Sequence, residues 1–382
     1  MLLNDEQELV RRTASEFASE VIAPSAREWE RAGRIPEAVL RQMGELGFLG
    51  MTVPEAYGGA GLDYVSYAAA LIEIAAGDGG LSTLMSVNNA PVCAILLGSG
   101  SAGQKDRYLV PMARGQMIGA FALTEPQAGS DAAGLRTTAS RRDGGYVLSG
   151  TKQFITSGNV AGAIIAFAVT DPAAGKRGIS AFVVPKELPG VIVSRTERKM
   201  GQKSSDTCQL LFDAVQLEES SRIGAEGEGY RIALSNLETG RIGIAAQSVG
   251  MAQAALREAV SFCRDRESFG QAIIGHQAVG FRLATMATEL EAARSLVFHA
   301  AAMKDAGRRC LKEACMAKLF ASEAAERICS AAVQCLGGYG YVDDYLVEKI
   351  YRDVRVCQIY EGTSDIQRLI ISRELTAGNI QA

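Results

Sequence analysis

From Asn4 to about Gly115 the apolar positions recur at helical spacing, beginning with Leu9, Val10, Phe17, Val21 and Ile22. Asn4-Asp5-Glu6-Gln7 offers a cap and early acids for the first helix. Pro24, Pro36, Pro54 and the turn Tyr57-Gly58-Gly59-Ala60-Gly61 punctuate the segment, and the Ala-rich run from Tyr64 to Ala76 predicts a buried helix. The pattern changes between about Ile118 and Gly227. There the runs Tyr146–Ser149, Ile164–Thr170, Ile179–Val184, Val191–Val193 and Leu210–Phe212 are short, rich in β-formers and set apart by Gly, Pro, Asp and Asn. That texture predicts antiparallel strands. From Glu228 onward the spacing is helical again, with Ala-rich stretches at Ile242–Val260, Gln277–Lys304 and Ala314–Val333. No strand–helix alternation runs through the chain. The expected class is α+β, mainly α, with an N-terminal helical domain over 1–118, a middle β domain over 119–228 and a C-terminal helical domain over 229–382.

Composition narrows the partners. The 382 residues are 48% hydrophobic and 21% charged, with net charge −4 and no basic block, so nothing points to nucleic acid or an anionic membrane. The first eight residues carry acids where a signal peptide needs bases, and no run approaches the roughly 18 uninterrupted apolar residues of a bilayer span. The expectation is a cytoplasmic protein without membrane insertion. Eight dispersed cysteines, none in C-x-x-C spacing, read as reduced core residues. His276 and His299 stand far apart without companion ligands, which argues against a His-based metal site. Gly98-Ser99-Gly100-Ser101-Ala102-Gly103 matches G-x-G-x-x-G, but an Ala- and Leu-rich run without alternation precedes it and only a short segment follows. An inter-helix turn is expected there, not a nicotinamide site.

Three stretches carry candidate chemistry. In Val356-Cys357-Gln358-Ile359-Tyr360-Glu361-Gly362-Thr363-Ser364-Asp365-Ile366-Gln367 a mostly apolar approach ends at one carboxylate, Glu361. Gly362 can take φ > 0, and Ser364 with Gln367 forms an S-x-x-Q pattern at a helix start. An acid at such a junction can be held in fixed relation to the helix N-terminus behind it, while a loop glutamate in water fits the same residues. Phe121 to Asp131 couples a strand to a turn rich in hydroxyls and backbone donors, and Gly150 to Gly158 places Phe154 two residues from Thr156. Each alone fits a sheet edge and turn equally well. Together they suggest a pocket for a flat polar ring system such as an isoalloxazine.

Leu123-Thr124-Glu125-Pro126…Ala128-Gly129-Ser130-Asp131, Gly150-Thr151-Lys152…Ile155-Thr156, Arg266…Phe269-Gly270…His276-Gln277, Gln334…Gly337-Gly338-Tyr339-Gly340 and Ile359-Tyr360-Glu361-Gly362-Thr363-Ser364 resemble, in order and spacing, the acyl-CoA dehydrogenase family. The resemblance spans essentially the whole chain. It implies a middle antiparallel, β-barrel-like domain, a C-terminal four-helix bundle, FAD as cofactor and oxidation of an acyl-CoA thioester to the trans-2-enoyl-CoA. It also implies electron transfer to an electron-transferring flavoprotein, and a homotetramer built as a dimer of dimers. Carried over by position, Glu361 removes the α-proton while the β-hydrogen leaves as hydride to flavin N5. Phe121, Leu123, Thr124, Gly129, Ser130, Phe154, Ile155 and Thr156 line the flavin, with Thr363 and Asp365 nearby. The family usually has Trp where Phe154 stands, so stacking survives and an indole donor is lost. Arg266, Ser268, Phe269, Gln277, Gln334, Gly337 and Gly338 resemble residues that hold the FAD diphosphate and adenosine of a neighbouring subunit.

For the substrate, the resemblance points to Ser130, Glu238, Arg241, Gln247 and Gly362. Some members carry the base immediately before the equivalent of Arg241, where this chain has Gly240. Gln at position 247 resembles the short-chain and short-branched-chain members and implies acyl groups of about four to six carbons, since a buried amide opposing a methylene chain is costly unless hydrogen-bonded. An acyl-carrier-protein-linked dehydrogenase and an oxidase share every motif quoted; a non-catalytic scaffold of the same fold is the reading from a different class.

Overall fold

The computed structural model describes residues 2–378. The N-terminal helical domain runs through α1 (Asp5–Phe17), α2 (Ala23–Ala32), α3 (Glu37–Glu45), α4 (Tyr64–Gly77), α5 (Gly79–Val87), α6 (Ala94–Ser99) and the short α7 (Ala102–Gln104) and α8 (Val110–Ala113). Asn4 closes a capping box with Gln7, so the predicted start is observed. α4 is buried along almost its whole length, as its lack of a polar face requires. The G-x-G-x-x-G stretch is the turn between α6 and α7, with no strand before it. Gly79–Ser99 has the length and hydropathy to cross a bilayer, yet 83% of its apolar window is buried inside the protein. Extended backbone at Ala90 also interrupts it. It is a core segment.

The middle domain holds β1 (Gly119–Ala122), β2 (Thr138–Arg142), β3 (Gly145–Thr156), β4 (Ala163–Val169), β5 (Ile179–Pro185), β6 (Val191–Thr196), β7 (Thr207–Glu218) and β8 (Arg222–Ile223). They form one sheet in the order β6-β7-β3-β2-β4-β5-β8, with β1 paired to β4. The purely antiparallel expectation needs correcting: β1 runs parallel to β4 along four residues, and β2 touches β4 in parallel through Thr138 and Val169. The β2–β3 hairpin separates β1 from β4, and a connection of that length lets the chain re-enter in the same direction. A register shift between Lys152 and Ile155 in the β3–β7 ladder is a bulge, and Phe154 takes φ +59 inside it. The bulge aims Phe154 outward while Ile155 stays in the core.

The C-terminal domain follows as α9 (Gly229–Asp265), the small hairpin β9 (Glu267–Ser268) and β10 (Gln271–Ala272), α10 (Gln277–Asp305), α11 (Leu311–Leu336), α12 (Val347–Val354) and α13 (Ser364–Thr376). α11 packs on α9, α10, α12 and α13, so the expected bundle is observed. Small residues such as Gly243 and Gly250 let α9 approach α4 and α5 closely; a Cβ at Gly243 would meet Ser86 Oγ at 2.6 Å. All eight cysteines are free and buried, as expected of core residues.

One buried ionic cluster ties the three domains together. Lys349 Nζ lies 2.8 Å from Asp78 Oδ2 and 2.5 Å from Asp353 Oδ2. Ser204 Oγ donates to Asp78 at 2.7 Å, and the Gln202 backbone N–H donates to Asp353. One ammonium between two carboxylates, with the remaining lone pairs satisfied by donors from the middle domain, is the arrangement that a buried charge requires.

Candidate active site

A cavity of about 700 Å³ opens where the three domains meet. The middle domain contributes Phe121, Leu123 and Thr124 from the end of β1, Gly129 and Ser130 from the following turn, and Phe154, Ile155 and Thr156 from the bulged end of β3. Every residue expected from those two stretches lines the cavity. A buried ion pair fixes them relative to each other: Lys152 Nζ reaches Glu125 Oε1 at 2.8 Å and Leu123 O at 3.2 Å. Glu125 also accepts the N–H groups of Arg136 and Thr137.

The opposite wall carries Glu361. It adopts φ +55 at the junction into α13, and Gly362 follows at φ +88. The N-cap of α13 is Thr363, whose hydroxyl accepts from Ile366 N; Ser364 is the first helical residue, which corrects the expected cap by one position. Gln367 does not close a capping box. Its Nε2 turns back to the carbonyls of Glu361 (3.2 Å) and Gly362 (2.8 Å), because two consecutive positive-φ residues leave those carbonyls without helical donors. Glu361 as a residue is partly open to the cavity, but its Oε2 is buried without a hydrogen-bond partner among the described residues. Burial pushes its carboxyl up to about 7, against the lowering fields of Arg241 and Lys318. An unsatisfied buried carboxylate oxygen that titrates near neutrality is a poised proton acceptor.

The carboxylate lies over Gly240 of α9. A Cβ at that position would come within 2.7 Å of Oε2 and 3.1 Å of Oε1. Glycine there does more than forgo a competing acid: it leaves the space that the Glu361 side chain fills. Arg241 is buried, lines the cavity and keeps an Nε without a partner among the described residues. A buried donor without an internal partner, on a residue that lines the cavity, suits a polar ligand.

The substrate residues divide. Ser130, Arg241 and Gly362 line the cavity, whereas Gln247 and Glu238 do not. Gln247 lies one layer behind. Its Nε2 donates to Gly79 O (2.8 Å), Ser82 Oγ (2.8 Å) and Thr83 Oγ1 (2.5 Å), and its Oε1 accepts from Tyr360 Oη. With its amide satisfied it can be fully buried, and it braces Thr83 and Tyr360, which form the wall itself. Glu238 pairs with Lys304 at 3.1 Å, so its carboxylate is already engaged away from the cavity. Thr363 and Asp365 are also outside the lining: Thr363 is spent as the cap and Asp365 is exposed beside Arg368.

Arg266, Ser268, Phe269, Gln277, Gln334, Gly337 and Gly338 lie outside the cavity, at the ends of α9 and α11 and the start of α10. Arg266 stands over the Tyr339 ring at 5.9 Å, His276 Nε2 is 3.0 Å from Ser268 O, and Phe269 is 96% exposed at φ +51. Sequence reasoning missed the cavity residues Thr83, Val87, Tyr230, Ile244, Leu311 and Arg373. In sequence they are ordinary helix positions; only packing selects them.

The fit to a flavin rests on this lining. Phe121 and the outward-turned Phe154 offer apolar faces, Thr124, Ser130 and Thr156 offer hydroxyls, and the orphaned carboxylate stands across the same space. Fold and site together define a flavin-dependent dehydrogenase. Sequence models of the acyl-CoA dehydrogenase N-terminal, middle and C-terminal domains match residues 4–116, 120–215 and 227–376. The chain belongs to the acyl-CoA dehydrogenase family, whose members are FAD-dependent oxidoreductases. It is 47% identical to an acyl-CoA dehydrogenase of Bacillus subtilis, over 99% of this chain and 100% of that one. It is 44% identical to the mitochondrial short-chain specific acyl-CoA dehydrogenase of Bos taurus, over 98% and 90% of the two chains. Butyryl-CoA dehydrogenase of Megasphaera elsdenii superposes with a TM-score of 0.95 at 38% identity, covering 98% of this chain and 99% of the other.

Proposed function

We propose that the protein dehydrogenates short acyl-CoA thioesters at the α,β-bond, with Glu361 as the base. The observation that carries this is that Glu361, whose Oε2 is buried without a hydrogen-bond partner among the described residues, lines the same cavity as the aromatic and hydroxyl residues of the middle domain. An α-proton next to a thioester is weakly acidic, so the base must be close to it, dry and ionised near neutral pH. Glu361 meets those requirements through burial, and the cation Arg241 on the same wall favours its charged form. Phe121, Leu123, Thr124, Gly129, Ser130, Phe154, Ile155 and Thr156 would hold the flavin ring. When bound, FAD supplies the two-electron acceptor.

Acyl groups of about four to six carbons are supported by the wall that Thr83 and Tyr360 form on the Gln247 amide. CoA as carrier and an electron-transferring flavoprotein as acceptor are supported by the likeness to short-chain specific and butyryl-CoA dehydrogenases. A homotetramer is supported by the exposed Phe269–Gly338 surface, which a second subunit's nucleotide would cover. A cytoplasmic setting agrees with eight free thiols.

The test is an anaerobic titration of the flavin spectrum with acyl-CoAs of increasing length, followed by turnover with a ferrocenium acceptor and with air. Bleaching by butyryl-CoA and turnover with ferrocenium alone support the reading. Turnover in air indicates an oxidase, bleaching only by a carrier-protein thioester indicates the biosynthetic alternative, and no bleaching by any of them indicates a scaffold.

A further inference from the structure

Lys318 of α11 is 0% exposed, and its Nζ donates to Gly362 O at 2.7 Å. Among the described residues it joins no ion pair. A buried ammonium needs a counter-charge, and the groups facing it are Cys357 on the turn before the junction, Glu361, Arg241 on α9 and Cys315 on its own helix. Burial pushes both thiols up, so Glu361 is the one anion of that set near neutral pH. Burial also draws Lys318 down to about 8, against the raising fields of Cys357 and Glu361.

The geometry around the base has the same logic. A non-glycine residue at φ +55 persists only where its surroundings over-determine it. Three hydrogen bonds do so here, two from Gln367 Nε2 and one from Lys318 Nζ, all to the carbonyls of Glu361 and Gly362. Neither Gln367 nor Lys318 lines the cavity, so the junction is clamped from behind. The Glu361 carboxylate itself faces Arg241 from α9, Lys318 from α11 and the neutral Tyr67 from α4. Arg241 lines the cavity and is available to a ligand. Lys318 is out of a ligand's reach and serves the base alone.

We propose that Lys318 is a positioning residue for the base: its ammonium holds the Gly362 carbonyl, and with it the left-handed junction, and is the buried counter-charge of the Glu361 carboxylate. This rests on Glu361 being the base.

The experiment compares Lys318→Met and Lys318→Gln holoenzymes with wild type in kcat and kcat/KM across pH, using butyryl-CoA, with flavin content measured for each. Removing the positive charge favours the protonated carboxyl, so the acid limb of kcat/KM moves up by about one pH unit in both variants, roughly a tenfold loss below the limb. Lys318→Met also lowers kcat about tenfold at alkaline pH, where Glu361 is ionised regardless. The amide of Lys318→Gln can still donate to Gly362 O and restores much of that alkaline kcat. Limbs that stay at the wild-type pH in flavin-loaded variants overturn the proposal. So does loss of flavin from Lys318→Gln, which would make the lysine a folding requirement only. If Lys318→Met does not fold, the limb of Lys318→Gln decides. Glu361→Gln is the control that separates the two claims. If it keeps activity, the base assignment fails; if it is inactive while the lysine variants keep their limb, only the role of Lys318 fails.

Discussion

Replacing Gly240 by alanine adds one methyl group to α9 where the helix passes under the Glu361 carboxylate. The new Cβ would stand 2.7 Å from Oε2, 3.0 Å from Cδ and 3.1 Å from Oε1. Those separations are too short for a carbon against these atoms, so the carboxylate must withdraw by several tenths of an ångström. The atoms that give way are the far end of a flexible side chain, so the fold itself has little to lose. Alanine in a helix interior is better than glycine by up to about 1 kcal/mol. Stability is therefore unchanged or higher by at most that amount, a Tm change of about 2 °C or less for a chain of this size. Catalysis responds the other way, because a base displaced by about 1 Å can lose about 100-fold in rate. Gly240→Ala is expected to keep its flavin and its Tm while kcat with butyryl-CoA falls between about 10- and 100-fold. The assay is stopped-flow bleaching of the flavin, paired with a thermal melt. A loaded Gly240→Ala enzyme that bleaches at the wild-type rate refutes the placement of the carboxylate over that glycine.

Three further outcomes follow from the same geometry. The base must be ionised to take a proton, so kcat/KM rises with pH through a limb near 7, where burial has moved the Glu361 carboxyl; a profile flat from about pH 5 to 8 contradicts this. Lys349→Met leaves Asp78 and Asp353 buried without their cation and is expected to cost about 3–5 kcal/mol in urea unfolding; a loss under about 1 kcal/mol would show that the cluster is not what joins the domains. Gln247→Ala removes the brace behind Thr83 and Tyr360, so the ratio of octanoyl-CoA to butyryl-CoA kcat/KM is expected to rise several-fold, and an unchanged ratio would free Gln247 from any role in chain length.

Much of this was legible in the sequence because it depends on local signals. Helical spacing and short β-rich runs separate the three domains, and Asn4 with Gln7 marks the first helix start. Glu361 stands out through its apolar approach and the glycine after it. The middle domain's cavity-lining residues were legible because two strand-and-turn stretches carry them together. What the sequence concealed depends on tertiary packing. The parallel pairing of β1 with β4 follows from the path of the intervening hairpin, not from the residues of either strand. Thr363 rather than Ser364 caps α13, since Ser, Thr and Asp in succession offer three equivalent caps to the eye. Gln247 and Glu238 point at other partners, which helix position alone does not reveal. Lys318 is one lysine among many until the fold buries it against Gly362.

Glu361 is proposed to take the proton from the substrate's α-carbon. Exchange of that proton with solvent deuterium can be followed by mass spectrometry of butyryl-CoA incubated anaerobically in D₂O with flavin-loaded wild type and Glu361→Gln. Deuterium entering the α-position with wild type, and none above the enzyme-free rate with Glu361→Gln, is the expected result. Exchange at the wild-type rate in the Glu361→Gln enzyme would contradict it.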